Sequence, residues 1–423
     1  LADVARQAAE AAARHSYGRL LAALSARTRD IAAAEDALAT AFERALAAWP
    51  RDGVPDSPDA WLLTVARREA ISRHRRAATA DAAVPEVLGR MADRTDDDAD
   101  PDGRLPDRRL ELLFVCAHPA IDPGSHAPLM LNTVLGFTAE EIARLLLVSP
   151  VAMSQRVVRA KARIRRTGIA FRGPDPGRLG ERLPPVLEAI YGLFSAAWAR
   201  PPSDAADAIA GEAIFLARLL AASMPDEPEC LGLLALVLFC EARRTTRRGA
   251  DGAFVPLSEQ DTSRWDVAAI EAADAILARA AIRAGRRPGP FQLEAAIQSV
   301  HTDRRRTGVT RWSVIVSLHA ALHAIAPSTG ATVGYAAALG EAGAPDEGLA
   351  LLAAIPEGRR DRYQPFFAVR ARLLALAGDQ PGAAESYRIA AAMVDDPAIS
   401  GYLAGRAAGL PTRAVPGPDC AGG

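Results

Sequence analysis

The sequence predicts an all-α protein with more than one helical domain. Its 423 residues exceed what a single hydrophobic core usually holds. Half of the residues are hydrophobic but only 5% are aromatic, and Ala and Leu dominate. This composition favours helices, because strands are enriched in β-branched and aromatic side chains. Apolar residues also recur every three or four positions over long stretches, which is the spacing of one helix face.

The first helical domain is predicted over residues 1–76. Apolar side chains recur every three or four positions from Leu20 to Leu46. This spacing places both residues on the inward face of a helix. The triplet Asp56-Ser57-Pro58 then marks the beginning of another helix, which ends in the basic cluster Arg67–Arg76. Cations are favoured at a helix C-terminus by the helix dipole. By itself, this cluster therefore indicates no more than a solvated helix end.

An acidic segment separates this domain from a second one. Residues 77–105 lose the helical periodicity and contain a run of aspartates closed by proline and glycine. This composition predicts a flexible linker. The periodicity returns over residues 106–172, which we predict to form a second small helical domain.

A large helical region is predicted over residues 180–410. Ala/Leu stretches alternate there with turns rich in Gly, Pro and Asp. The residues after Gly343 resemble those after Gly378, at an offset close to the ~34-residue period of tetratricopeptide repeats. We therefore expect a tetratricopeptide-like arrangement, followed by a disordered tail over residues 411–423.

The most specific local pattern lies in the second domain. Thr138 and Glu141 have the spacing of a capping box, and Ser149-Pro150 supplies the N-cap and first residue of another helix. Between Ser149 and Arg166 the chain has six basic residues and no acidic one. This pattern is typical of a helix-turn-helix, whose second helix enters the major groove of DNA. A solvated basic helix in an ordinary bundle is the alternative.

The second helix of this pattern divides into two faces. Its inward residues are predicted to be Val151, Met153, Val157 and Ile164. On the outer face, the first turns are predicted to contact bases and the later cations to contact phosphates. The base-reading residues are Ala152, Ser154, Gln155 and Arg156, and the phosphate-binding residues are Arg159, Lys161 and Arg163.

Several functional classes find no support in the residues. The formal net charge is −1, so a nucleic-acid surface has to be a local patch. The four cysteines are scattered, which predicts free thiols in a reducing compartment. The sequence contains no run of 18 apolar residues, which a membrane-spanning helix would need. We therefore expect a cytoplasmic protein. His319 and His323 stand one turn apart without a third ligand, which favours a packed pair over zinc. We predict no catalytic residues, no metal and no cofactor.

Longer stretches carry a family resemblance. They are residues 34–38, 49–55 and 60–68 in the first domain, 112–120, 137–144 and 153–161 in the second, and 232–236, 260–266 and 295–301 in the large region. In these stretches the chain resembles bacterial sigma factors of the extracytoplasmic-function group, which belong to the sigma-70 family. More narrowly, it resembles the subgroup with a long C-terminal, tetratricopeptide-like helical extension.

This resemblance implies two partners, core RNA polymerase and promoter DNA, and no enzymatic activity. It implies that the first domain docks on polymerase and binds the −10 promoter element, and that the second domain binds the −35 element. The implied polymerase-docking residues are Glu35, Asp36, Leu38, Phe42 and Trp49. The implied −10 residues are Trp61, Arg67, Arg68, Arg73, Arg75 and Arg76.

The leading hypothesis is a promoter-specificity subunit that is regulated by its C-terminal region. Within the predicted extension, two stretches differ from the family's usual sequence, Ser195–Trp198 and Ala331–Ala338. They motivate an alternative, a sigma-derived DNA-binding regulator or protein adaptor whose extension binds a peptide or protein partner. A third hypothesis, an enzyme housed in the extension, would need a pocket with convergent titratable groups.

Overall fold

The computed structural model describes residues 2–80, 107–146, 148–167, 169, 171 and 179–410. Within these ranges the chain forms twenty α-helices, four short 3-10 helices and no strand longer than an isolated bridge. The prediction of an all-α protein is therefore confirmed. None of the helices in these ranges combines the length and the apolar character that a membrane span requires. Most of the predicted acidic linker, from residue 81 onward, and the predicted tail lie outside the described residues.

The helices divide into two compact units. The first unit comprises the described residues from 2 to 197 together with residues 207–216, and the second comprises residues 198–206 and 217–410. This division differs from the predicted beginning of the C-terminal region at residue 180. The helix that begins there packs almost entirely within the first unit.

Four helices form the first module of the first unit, which we define as residues 2–80. They are α1 (Ala2–His15), α2 (Tyr17–Thr28), α3 (Ile31–Asp52) and α4 (Pro58–Ala80). Asp30 caps α3, since its carboxylate accepts hydrogen bonds from the amides of Ala32 and Ala33. The apolar stripes of these helices meet in one core, which contains Leu20, Leu21, Leu24, Ile31, Leu38 and Leu62.

Four more helices form the second module, defined as the described residues between 107 and 171. They are α5 (Arg109–Cys116), α6 (His126–Thr133), α7 (Ala139–Leu145) and α8 (Pro150–Thr167). A 3-10 turn, Pro123–Ser125, precedes α6. The core of this module contains Leu112, Leu113, Leu129, Met130, Ile142 and Met153, all of them buried.

Helix α9 (Leu179–Ala199) completes the core of the second module. At Gly192 an added methyl group would stand 3.4 Å from a methyl of Leu145 on α7, so the two helices approach closely. Arg182 donates from Nη1 to the carbonyl oxygen of Phe114 at 3.4 Å. Since α9 buries its apolar face in this module, the two share one hydrophobic core and should unfold together.

Helix α10 (Asp204–Ser223) adds a polar clamp to the first unit. Arg109 on α5 pairs with Asp107 at 2.6 Å and also with Glu212 on α10. The guanidinium lies over the ring of Phe215, 5.3 Å from its centroid. This clamp ties a segment that comes after residue 200 to the beginning of the second module.

The second unit is a succession of ten shorter helices. They are α11 (Pro228–Glu241), α12 (Val267–Ala284), α13 (Pro290–Thr307), α14 (Trp312–Ile325), α15 (Thr329–Glu341), α16 (Pro345–Ala353), α17 (Glu357–Arg360), α18 (Gln364–Leu376), α19 (Gln380–Ala392) and α20 (Pro397–Ala408). Helix α11 is apolar on all sides, and it packs against both α12 and α13. An all-round apolar helix has to be buried, which places α11 at the centre of its part of the unit.

The similar sequences after Gly343 and Gly378 correspond to two similar helical hairpins. Gly343, between α15 and α16, has φ of +92°, and Gly378, between α18 and α19, has φ of +90°. Both are left-handed positions that favour glycine. The amide after each glycine donates 2.9 Å to the carbonyl oxygen four residues before that glycine, Ala344 to Leu339 and Asp379 to Leu374. A tetratricopeptide-like character for the whole region stays a prediction.

Candidate nucleic-acid interface

Helices α7 and α8 are held by the caps that the sequence predicts. The amide of Thr138 donates to Glu141 Oε2 at 2.9 Å, and Thr138 Oγ1 accepts from the amide of Glu141 at 3.2 Å, which completes the capping box. Ser149 Oγ accepts from the amide of Ala152 at 3.2 Å. Each cap satisfies amides that have no partner inside their own helix, so the beginning of α8 is fixed by local chemistry.

The two faces of α8 agree with the prediction except at one residue. Met153, Val157 and Ile164 are buried as expected. Val151 was predicted to point inward, and this is wrong, because its side chain is 70% exposed. It stands in the first turn on the same outer stripe as Val158, which is 62% exposed. Two exposed valines on a basic helix are a feature that the sequence analysis missed.

The predicted base-reading residues lie on this outer stripe. Ala152, Ser154 and Gln155 are exposed, and Arg156 is half-buried. Arg156 donates from Nη1 to the carbonyl oxygen of Gly124 at 3.2 Å, which holds its side chain over the 3-10 turn. The first two turns of α8 therefore present Ser154 and Gln155 to solvent beside the exposed Val151.

The three predicted phosphate-binding residues have different surroundings. Arg159 and Arg163 are exposed, and Arg163 donates from Nε to the carbonyl oxygen of Ala120 at 3.1 Å. Lys161 instead faces the first module, where its Nζ lies 2.6 Å from Glu35 Oε1 and 2.8 Å from Oε2. The two side chains are only 19% and 21% exposed. In this arrangement Lys161 is engaged by a carboxylate of α3.

The Lys161–Glu35 pair joins two predicted sites that the sequence analysis treated separately. Glu35 is a predicted polymerase-docking residue and Lys161 a predicted DNA-binding one. Tyr17 lies close to the pair, and its pKa is raised to about 12 by burial, with a smaller contribution from Glu35. Burial likewise raises the pKa of the nearby Cys116 thiol to about 12. The pair therefore lies in a partly desolvated contact between the two modules.

The other predicted docking residues divide between surface and core. Asp36 is exposed and pairs with Arg73 at 3.1 Å, and Phe42 is half-buried and stacks on Tyr17. Leu38 and Trp49 are at most 2% exposed, so in this arrangement they support α3 from within the core. Leu46 was predicted to point inward, and this is wrong, because it is 52% exposed on the outer face of α3.

The predicted −10 residues lie along α4. Arg68 and Arg75 are exposed and Arg67 is half-buried, whereas the side chain of Arg76 lies outside the described residues. Arg73 pairs with Glu69 at 3.2 Å as well as with Asp36, so two carboxylates already share it. The ring of Trp61 packs edge-on against Trp49, with centroids 5.5 Å apart. The exposed cations thus follow a tryptophan pair that fixes α4 against α3.

Comparison with known proteins decides the family. Residues 13–79, which cover α2, α3 and nearly all of α4, match the model for sigma-70 region 2. The chain belongs to the sigma-70 family. Sigma-70 region 2 implies an interaction with core RNA polymerase and promoter DNA, and the family consists of non-enzymatic initiation factors. The chain therefore has a sigma-factor-like role in promoter recognition.

The similarity extends beyond the sigma-70 region 2 segment. Residues 182–281 match a family of unknown function, DUF6596. An uncharacterized protein of Rhizobium meliloti (strain 1021) is 37% identical over 381 residues, which cover 89% of each chain. No solved structure matches this sigma-70 family member significantly. The DUF6596 match is consistent with a subgroup of the family that carries an extension.

The remaining polar candidates of this sigma-70 family protein are packed side chains. His319 stacks on Tyr335, and His323 Nδ1 lies 3.4 Å from Thr332 Oγ1. Burial lowers the pKa of His319 to about 4. Cys116, Cys230 and Cys240 are free thiols as predicted, whereas Cys420 lies outside the described residues. Across the described ranges, no three His, Cys, Asp or Glu side chains are grouped so as to hold a metal.

Proposed function

We propose that this chain is a sigma factor of the extracytoplasmic-function group that directs core RNA polymerase to promoters. In this proposal α4 binds the −10 element and α8 binds the −35 element. Helix α3 docks on polymerase, and the C-terminal region regulates activity. The observation that carries the proposal is the capped, exposed first half of α8 in the same unit as a sigma-70 region 2 match.

The outer stripe of α8 has the chemistry that groove recognition needs. Gln155 can bond to adenine through its amide, and a cation such as Arg159 can neutralise a phosphate. The exposed valines can contact thymine methyl groups, which line the same groove. All of these residues share one face, since Val151, Val158 and Arg159 each stand three or four positions from Gln155 along the helix.

The Lys161–Glu35 pair gives the proposal a conformational requirement. While Lys161 is held by Glu35, it cannot neutralise a phosphate, and Glu35 cannot contact polymerase. We propose that the described state is a closed one, and that polymerase competes for Glu35 and releases α8. A second candidate function is a DNA-binding regulator that acts without polymerase, because the first half of α8 is exposed while Glu35 of the docking helix is engaged.

The test of the proposed function is reconstituted transcription. The purified chain and core polymerase should produce discrete transcripts from a library of genomic fragments, because the chain supplies promoter selection. A double substitution of Gln155 and Arg159 by alanine should abolish promoter choice but leave polymerase binding intact. If no fragment yields a transcript despite firm polymerase binding, the initiation role is wrong. A tight, sequence-specific gel shift without polymerase would then support the regulator.

Substitutions on α8 should separate base reading from phosphate binding. Gln155→Ala is expected to cost roughly 1–3 kcal/mol at one base pair and to relax selection there. Arg159→Ala should weaken binding to all sequences and lower the slope of log affinity against log salt by about 0.9. Affinities of the polymerase complex for promoter variants, measured at several salt concentrations, report both effects.

A matched control for Arg159→Ala is Arg6→Ala on α1. Arg6 is exposed and pairs with Glu10 of its own helix at 3.0 Å. Its substitution changes the net charge equally, so it should leave the salt slope unchanged. If Gln155→Ala and Arg159→Ala both lower the affinity for every promoter sequence by the same factor, Gln155 does not read a base.

A further inference from the structure

The second unit contains a cavity of about 510 Å³ that no prediction from the sequence used. One wall is the segment of residues 244–259, which contains two 3-10 helices and an isolated bridge between Arg248 and Phe254. The opposite walls are α15, α18, α19 and α20. The side chains that define its chemistry are Arg247, Phe254, Arg372, Tyr387, Tyr402 and Arg406.

The two sides of the cavity are joined by side-chain contacts. Arg248 pairs with Asp396, whose side chain is only 5% exposed and caps α20. Phe254 packs edge-on against Tyr402, with centroids 5.4 Å apart. These contacts close one side of the cavity between segments that are far apart in sequence. The volume of this cavity falls in the range of small-molecule sites.

The cavity carries an excess of one positive charge. Arg247, Arg372 and Arg406 line it, against the carboxylates of Glu259 and Glu341. Arg372 Nε donates to Glu341 Oε1 at 2.9 Å, which neutralises that arginine. The guanidinium of Arg406 lies over the ring of Tyr387, 5.7 Å from its centroid. Arg406 also donates a hydrogen bond to the Tyr387 hydroxyl. A guanidinium has five N–H donors, so the others can bond to an anion.

Arg247 adds a second cation on the opposite wall. It stacks on Trp198 at 4.0 Å and donates from Nη1 to the carbonyl oxygen of the same residue at 2.8 Å. Burial, together with neighbouring Arg248 and Arg244, lowers its pKa to about 10. A bound negative charge would relieve this crowding of cations.

We propose that the cavity binds a small aromatic carboxylate. The single excess positive charge matches a monoanion, and guanidinium groups are the preferred partners of carboxylates. The rings of Phe254, Tyr387 and Tyr402 offer faces and edges to a planar apolar body. The proposal concerns binding alone and does not depend on the proposed function in transcription.

Calorimetric titration of the full chain with 1-naphthoate tests this site. The acid should bind saturably. Its neutral isostere 1-naphthamide should bind at least tenfold more weakly, because only the carboxylate has a negative charge to pair with the arginines. Arg406→Gln should weaken the binding of 1-naphthoate at least tenfold. Arg388→Gln, on α19, should not, because Arg388 is half-exposed, pairs with Glu385 on its own helix and does not line the cavity.

The comparison of acid and amide on the unaltered chain keeps the test valid even if Arg406→Gln folds poorly. A thermal shift with 1-naphthoate should follow the same order, since a ligand that binds only the folded state stabilises it. Equal affinity for acid and amide, equal losses in the two arginine variants, or no saturable binding at millimolar 1-naphthoate would each overturn the proposal.

Discussion

Replacing Gly18 with alanine is expected to cost about 1–3 kcal/mol in the free energy of unfolding of the first unit. Gly18 lies on α2 at its contact with the second module, where an added methyl group would overlap the carbonyl oxygen of Val134. A backbone atom cannot rotate away as a side chain can, so the two modules have to separate slightly. The loss should appear in denaturant unfolding as a lower midpoint at an unchanged slope.

The same substitution should loosen the Lys161–Glu35 pair. Lys161 is the only lysine in the sequence, so amine acetylation followed by peptide mass spectrometry reports on this one side chain. We expect slow modification of Lys161 in the unaltered chain and faster modification in Gly18→Ala. Glu35→Gln should also accelerate it without overlapping any backbone atom.

Gly211 provides the control for this experiment. It lies inside α10, and an added methyl group there would meet no atom within 4 Å. Gly211→Ala should therefore be neutral or stabilise the chain by about 0.5–1 kcal/mol, through the better helix propensity of alanine. If both glycine variants have the same stability and the same Lys161 modification rate, the modules do not pack through Gly18.

Local chemistry explains what the sequence predicted correctly. The capping box of Thr138 and Glu141 and the cap at Ser149 depend on residues three positions apart, so they are visible without knowledge of the fold. The burial of Met153 and Ile164 follows from the period of the helix in the same way. Together with the Ala- and Leu-rich composition, this period was sufficient to predict the all-α class, and it correctly placed Ala152, Ser154 and Gln155 on the outer face of α8.

Periodicity alone could not assign the outer residues. Val151 and Leu46 fit an inward stripe by spacing, but both stand on helix faces that no element of the described residues covers. Hydrophobicity indicates inward placement only on average, because much of any protein surface is apolar. Their exposure depends on where the next helix lies, which is a tertiary property.

The contact between the two modules also could not be predicted from the sequence. Glu35 and Lys161 are 126 positions apart, and each belongs to a segment with a different expected role. The same limit applies to α9, which was expected to begin a separate region and instead fills the core of the second module beside Leu145. Apolar periodicity shows that a helix is buried but does not show against what.

Replacing Asp396 with alanine is expected to destabilise the second unit by about 3–5 kcal/mol. The substitution leaves Arg248 without its carboxylate, and removing one partner of a buried pair has a cost of this size. It also removes the cap of α20, because Asp396 Oδ1 accepts from the amide of Ala398 at 3.0 Å. Hydrogen exchange should rise in peptides that cover residues 244–259 and 397–408 and stay unchanged over residues 2–80.

Two further variants separate the ion pair from the cap. Asp396→Asn keeps a capping oxygen but lacks the charge, so it should lose about 1 kcal/mol less than Asp396→Ala. Asp395→Ala, at the exposed neighbouring position, should change neither exchange nor unfolding. Should Asp395→Ala and Asp396→Ala have the same stability, the Arg248–Asp396 contact would not hold the beginning of α20 against the 244–259 segment. The cavity between them would then lack a fixed wall.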